Sequence, residues 1–205
     1  MLFRSIGAGA AGIGAAWTLT DAGYDVLVLE ALPRIGGRAY SETIAGFQFD
    51  WGCHWLHSAS VNPLRLKAEQ LGVEYSQASL KRQIKRGDAW LDAEAMALRA
   101  RFHAECERRI AAYQGPSDRS IRELLEADSE LFPWYEFWTT LTCSLNSDVI
   151  SAADYTRYHD TEENWPVLGG YGRLIAKLAA PLNIRTGTCV QQIERTAKKS
   201  IVKGD

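Results

Sequence analysis

The sequence predicts an α/β fold interrupted by a mainly helical insertion, and three observations carry that reading. The first 30 residues run as strand, glycine-rich turn, small-residue helix and apolar strand. From Asp92 onward, apolar residues recur at three-to-four spacing over a long stretch. After Asn164, a glycine pair, a helix and two strand-like runs return to the character of the first segment. The expected organisation is an α/β part over 1–76, a helical insertion over 77–163 and a return over 164–205.

Each element follows from its own signals. Ile6 ends the first strand, Gly7 to Gly12 turn the chain, and Ala10 to Ala22 read as a helix that Gly23 stops. Tyr24 to Glu30, with Val26-Leu27-Val28-Leu29, reads as a buried strand and completes a β-α-β unit. Ala31 to Ala45 is expected as loop, and Phe47 to Leu56 as an aromatic, irregular segment. Asn62-Pro63 opens a helix that Gly72 stops, and Gln83 to Leu91 forms a hairpin around Gly87-Asp88. Asp92 caps a helix to Tyr113, Ser120 and Glu123 form a capping box that opens another, and Phe132 to Leu145 is a third. Gly169-Gly170 precedes a helix over Tyr171 to Ala180, and Cys189 to Arg195 and Ser200 to Lys203 are strands.

Both ends of the chain depart from this logic. Arg4 and Ser5 stand where a central parallel strand carries buried branched residues. Met1 to Ser5 therefore reads as a cloning or assembly scar, and Gly204-Asp205 as a turn rather than a domain end. The expectation is an N-terminal fragment, incomplete at the C-terminus.

Composition removes several function classes. The formal net charge is −2, and the basic pairs Lys81-Arg82 and Lys85-Arg86 read as a solvated hairpin face, so no nucleic-acid or anionic-membrane partner is expected. Cys53, Cys106, Cys143 and Cys189 are scattered without a C-x-x-C pair, which argues against a metal site or disulfide framework and for a reducing compartment. No apolar run approaches the ~20 residues of a membrane span. The expected location is the cytoplasm.

Gly7-Ala8-Gly9-Ala10-Ala11-Gly12 matches G-x-G-x-x-G. The first glycine permits the tight turn, the second lets a pyrophosphate approach the backbone, and the third packs helix on sheet. The helix N-terminus offers free N–H groups and a positive dipole end to the anion, with Ala11 in its first turn. Glu30 ends the next strand, 18 residues after Gly12. A carboxylate there accepts hydrogen bonds from ribose hydroxyls and repels a 2′-phosphate. Together these residues predict a Rossmann-like domain for an ADP-containing dinucleotide, with FAD and NAD both open. Arg34-Ile35-Gly36-Gly37-Arg38 then supplies a second bare-backbone cradle with arginines for phosphate, which a simple NAD unit does not need.

The string Leu29-Glu30-Ala31-x-x-Arg34-x-Gly36-Gly37-Arg38 strongly resembles the flavin-containing amine oxidase superfamily, which includes monoamine, polyamine and L-amino-acid oxidases. The segment Phe49-Asp50-Trp51-Gly52-Cys53-His54-Trp55-Leu56-His57 is similar to the family stretch whose main chain passes the isoalloxazine ring. The resemblance implies FAD as cofactor, with Gly52, Cys53, His54 and Trp55 lining the flavin. It places His57 where polyamine-type members carry a histidine near the substrate amine, and Val190 where a strand valine meets the adenine. It also makes the insertion a substrate domain, in which Trp134, Tyr135, Phe137 and Trp138 line a channel or, as an aromatic stripe at helical spacing, form core.

The implied reaction oxidises a C–N bond of a small-molecule amine by hydride transfer to flavin N5, with dioxygen reoxidising the flavin. No nucleophile triad or metal site is needed, and no catalytic residue is assigned beyond His57 as a candidate. The family's N5 lysine, aromatic pair and second FAD motif are expected downstream, and Lys198, Lys199 and Lys203 do not match that lysine's context. The rival readings are a desaturase or isomerase of the same superfamily, a noncatalytic dinucleotide-binding module, and an NAD-dependent dehydrogenase.

Overall fold

The computed structural model describes residues 2–78, 83–196 and 200–204. They divide into two compact units, Met1–Ala78 with Asp160–Asp205, and Ser79–His159.

The first unit is built on a parallel sheet. Strand β1 (Leu2–Ile6) leads through the glycine turn into helix α1 (Ala10–Asp21), and β2 (Asp25–Leu29) returns beside β1 in parallel register, Ile6 opposite Leu29. Gly23, at φ +83°, turns the chain out of α1 as a C-terminal glycine does. Ser5 has a specific task in β1: its hydroxyl donates to the Gly12 carbonyl at 3.0 Å and ties strand to helix. Val26 and Val28 point from β2 to Ala8 and Ala16, so small residues let α1 lie close on the sheet.

The segment after β2 contains a hairpin that the sequence reading missed. Strands β3 (Ser41–Ile44) and β4 (Phe47–Asp50) pair antiparallel around Ala45-Gly46, where loop and irregular chain were expected. Its amphipathicity is inverted, which hides the strand signal: Ser41 and Asp50 face inward while Ile44, Phe47 and Phe49 are exposed. Strand β5 (Trp55–Leu56) follows, then α2 (Pro63–Gln70), whose N-cap Asn62 accepts from Leu64 N–H at 2.9 Å.

The second unit opens on the hairpin β6 (Lys85–Arg86) and β7 (Ala89–Trp90), with the Lys85-Arg86 pair exposed as expected; Lys81 and Arg82 lie outside the described residues. Asp92 caps α3 (Ala93–Ala111) by accepting from Ala95 N–H at 2.8 Å. The Ser120–Glu123 capping box forms, yet it opens only a 3-10 turn (Ile121–Leu124), because the chain is already extended at Leu125. Helices α4 (Phe132–Cys143) and α5 (Ala152–Tyr155) complete the unit around Cys106, Ile110, Ile121, Phe132 and Tyr135. Tyr135 is core, whereas Phe137 is exposed.

The chain then rejoins the first unit. Strand β8 (Trp165–Pro166) pairs with β5, and Gly170, at φ +95°, delivers the chain into α6 (Tyr171–Ala179). Leu174, Ile175 and Leu178 of α6 pack with Ile13, Leu56 and Val73 as the main core. Strand β9 (Ile184–Arg185), which the sequence reading missed, adds in parallel to β2 and gives the order β1-β2-β9. Strands β10 (Val190–Arg195) and β11 (Ser200–Gly204) close as an antiparallel hairpin, with Lys203 in β11; Lys198 and Lys199 lie outside the described residues.

Candidate functional site

Two glycine turns, 27 to 30 residues apart in sequence, are locked together. Gly36 N–H donates to the Ala8 carbonyl at 2.8 Å, and Gly9 and Gly36 form an isolated parallel bridge. A Cβ on Gly37 would sit 3.3 Å from Gly9 Cα, so the two backbones touch directly. Gly12 has no alternative, because its Cβ would lie 1.9 Å from the Gly7 carbonyl oxygen. Gly7, by contrast, is at φ +91° with open space where a Cβ would be. Gly9 caps α1 without a side-chain hydrogen bond, and no acidic residue occupies the first turn, where Ala11 is exposed. The leading N–H groups of α1 are therefore open to an anion.

Glu30 is the buried carboxylate of this site, only 7% exposed. Its Oε2 accepts from Ala8 N–H at 2.6 Å and its Oε1 from Leu32 N–H at 2.8 Å, so one carboxylate fixes the glycine turn and the exit from β2 together. Two oxygens offer about four acceptor sites, and two are used within the chain. The remainder suits vicinal hydroxyls. Ala31, next in sequence, is exposed.

The two arginines are differently engaged. Arg34 stacks over Tyr40 at 4.4 Å and donates to the Gly37 carbonyl at 3.0 Å, so it clamps the second glycine turn. Arg38 is exposed and has no carboxylate partner among the described residues. A guanidinium so placed has the charge and the planar fork of donors to pair with a phosphate.

The loop 51–55 is laced to the same turn. Trp51 N–H donates to Tyr40 O at 2.9 Å and Cys53 N–H to Arg38 O at 3.1 Å. Gly52 is required there, since its Cβ would lie 2.1 Å from Arg38 O. At the base of the loop sits Asp50, its side chain 4% exposed. It accepts from Ser41 Oγ, from Tyr171 N–H at 2.9 Å and from His54 Nδ1 at 2.7 Å. Ser41 Oγ accepts in turn from Gly172 N–H at 2.7 Å. Asp50 and Ser41 thus join the β3–β4 hairpin, the loop at His54 and the start of α6. Burial, with Cys53 nearby, pushes the Tyr171 phenol up to about 12.

His54 lies edge-on to Trp55, with ring centroids 5.0 Å apart. His57 follows strand β5, and its Nδ1 meets Asn164 Oδ1 at 2.5 Å. Val190 opens β10, half-buried, and shares a cleft of about 250 Å³ with Leu29, Arg185 and Thr188. Thr188 N–H donates to Glu30 O at 2.8 Å, which brings the start of β10 beside the end of β2. Gly7, Gly9, Gly12, Glu30, Arg34, Gly36, Gly37, Arg38, Gly52 and Cys53 therefore form one connected backbone surface. Sequence reasoning missed Ser41, Asp50 and Asn164 as parts of this site. The signal available was Asp50 in an Asp-x-Gly string; Ser41 and Asn164 acquire their partners only through folding.

Residues 6–67 match the family model described as an NAD(P)-binding Rossmann-like domain. Polyamine oxidase 2 of Arabidopsis thaliana is 44% identical over 75 residues, 36% of this chain and 15% of that protein. Putrescine oxidase of Kocuria rosea is 43% identical over 72 residues, 35% of this chain and 15% of that protein. Among solved structures, wild-type putrescine oxidase bound to putrescine superposes with a TM-score of 0.74 at 18% identity, covering all of this chain and 56% of the other. An oxidoreductase from Methanosarcina mazei gives 0.73 at 21% identity, again over the whole chain and 56% of the other. The chain thus spans little more than half the length of the structures it matches. It carries a Rossmann-like dinucleotide-binding domain, is related in sequence to the polyamine and putrescine oxidases over about a third of its length, and shares the putrescine oxidase fold.

Proposed function

We propose that this chain binds FAD and contributes the dinucleotide-binding part of an oxidoreductase that oxidises a C–N bond of a small-molecule amine. The observation that carries the reading is the locked pair of glycine turns with buried Glu30 beneath it. Bare backbone at Gly7 and Gly9, the open N-terminus of α1 and unpaired Arg38 fit a diphosphate. Glu30 fits the adenosine ribose hydroxyls and disfavours a 2′-phosphate.

In this reading Arg34 orients the second glycine turn rather than touching phosphate. Gly52, Cys53, His54 and Trp55 line the ring system, and Val190 presents its backbone to the adenine. His57, held by Asn164, stands in the substrate-amine environment. When bound, the flavin supplies the two-electron acceptor for oxidation of the carbon beside nitrogen, and dioxygen takes the electrons onward. The domain assignment follows: 1–76 and 164–205 bind cofactor and 77–163 faces substrate.

A nicotinamide dinucleotide is the rival ligand, on the description of the matched domain. Competition titration separates the two. FAD and ADP should bind the 205-residue chain with affinities that fall with added salt, and Arg38→Ala should weaken both by about tenfold, one charge-assisted phosphate contact. NADP+ should not compete. Equal affinity for NAD+ and FAD, or indifference to Arg38→Ala, would overturn the assignment.

A further inference from the structure

The start of α6 reaches the two glycine turns through a series of close backbone contacts. Gly37 lies against Gly9, where a Cβ would come within 3.3 Å of Gly9 Cα. Ala39 N–H closes the second glycine turn by donating to Gly36 O at 2.9 Å. Gly172, in the first turn of α6, packs on that same segment: a Cβ there would lie 2.8 Å from Ser41 N and 2.9 Å from Ala39 O. Helix α6 thus stands behind the second glycine turn, which stands behind the first.

The helix is held in this place from outside itself. Its N-cap, Gly170, makes no side-chain cap. Two of its leading N–H groups are satisfied instead by residues 121 and 131 positions upstream, Tyr171 N–H by Asp50 Oδ1 at 2.9 Å and Gly172 N–H by Ser41 Oγ at 2.7 Å. Ser41 Oγ donates to the same Asp50 oxygen, which ties the two acceptors together. The other Asp50 oxygen meets His54 Nδ1 in the loop whose Cys53 N–H donates to Arg38 O. The cap therefore forms only when the β3–β4 hairpin, the loop and α6 are all docked around the second glycine turn.

We propose that Ser41 and Asp50 are positioning residues for the bound dinucleotide: by capping α6 at a distance they clamp the second glycine turn against Gly9, so that ligand binding and docking of the α6 N-terminus stabilise each other. The proposal rests on the dinucleotide reading above and is the same for FAD and NAD+. A diphosphate that orders Gly9 and the turn at Gly36-Gly37 also orders Ala39, and with it the surface on which Gly172 rests. A broken cap loosens the same contacts in the reverse order. Linkage makes the two effects equal in size.

Amide exchange and ADP titration of the 205-residue chain test this. With saturating ADP, exchange at Tyr171 and Gly172 should slow about fivefold more than at Leu64, whose N–H is capped by Asn62 outside this set of contacts. Ser41→Ala should weaken ADP binding by about fivefold while circular dichroism stays native, and the ADP-dependent slowing at Gly172 should disappear. Ile175→Val trims the buried face of α6 but leaves the cap in place, and should bind ADP as the wild type does. Equal weakening by Ile175→Val and Ser41→Ala would mean that the general stability of α6 sets the affinity, and would overturn the proposal. Wild-type ADP affinity in folded Ser41→Ala would overturn it too. So would the absence of extra slowing at Tyr171 and Gly172 in the wild type, a readout that decides the matter even if Ser41→Ala does not fold. Failure of the wild type to bind ADP at all would overturn the dinucleotide reading and the proposal with it.

Discussion

Replacing Glu30 with glutamine isolates the carboxylate that organises the proposed cofactor site. The side chain keeps its size, but one of its two acceptor oxygens becomes an NH2 group facing a backbone N–H. Either Ala8 N–H, now 2.6 Å from Oε2, or Leu32 N–H, 2.8 Å from Oε1, loses its acceptor. A hydrogen bond to a charged group contributes about 1.5–3 kcal/mol, and a buried donor left unsatisfied costs about 1–3 kcal/mol. Glu30 is 7% exposed, so water cannot substitute fully. The expected destabilisation is about 2 kcal/mol. With a urea m-value of about 2 kcal/mol/M, the unfolding midpoint should fall by about 1 M at unchanged m. Hydrogen exchange should accelerate at the amide that lost its partner, Ala8 or Leu32, before other sheet amides. A midpoint shift below about 0.2 M with both amides still protected would refute the role assigned to this carboxylate.

The other expectations are simpler. Gly12→Ala places a methyl 1.9 Å from the Gly7 carbonyl and should abolish dinucleotide binding or prevent folding, whereas Gly14→Ala, with open space at its Cβ, should fold and bind as the wild type does, read by circular dichroism and FAD quenching. Leu174→Ala removes a fully buried side chain from α6 and should cost about 2–5 kcal/mol in denaturant unfolding; a loss under about 1 kcal/mol would mean that α6 does not carry the core. Burial, reinforced by Glu107, pushes the Cys106 thiol up to about 11. Disulfide reagents should therefore modify exposed Cys53 and Cys189 in the folded chain and reach Cys106 only on unfolding, and equal rates would contradict its placement. The same shift favours the folded thiol form. Its stabilisation is full below the unfolded value of about 8.5 and is lost as pH rises through about 11, so unfolding midpoints should decline over that window and decline less in Cys106→Ala.

The parts of the fold that were legible in the sequence have local signals. Gly23 and Gly72 mark helix ends, Asn62 and Asp92 cap α2 and α3, and the Val26–Leu29 run is buried where it should be. The parts that were not legible depend on distant partners. Ser41–Ile44 and Phe47–Asp50 form a hairpin with the polar residues inside, because Asp50 and Ser41 bond the start of α6, 121 and 131 residues away. Alternation alone gives no reason to bury a serine and an aspartate while exposing Phe47 and Phe49. Strand β9 has two residues and exists only by pairing with β2, which no periodicity can reveal. In the site, the glycines and Glu30 follow from motif spacing, while the separate tasks of Arg34 and Arg38 emerge only from the stacking of Arg34 on Tyr40.

A crystal structure of the chain with ADP, the portion that FAD and its rivals share, tests the dinucleotide site itself. The diphosphate should lie against Gly9 and the N-terminus of α1, within reach of Arg38, and both ribose hydroxyls should bond to Glu30. The adenine should lie beside Val190. A diphosphate bound elsewhere, or a ribose that avoids Glu30, would rule out the dinucleotide site at the two glycine turns.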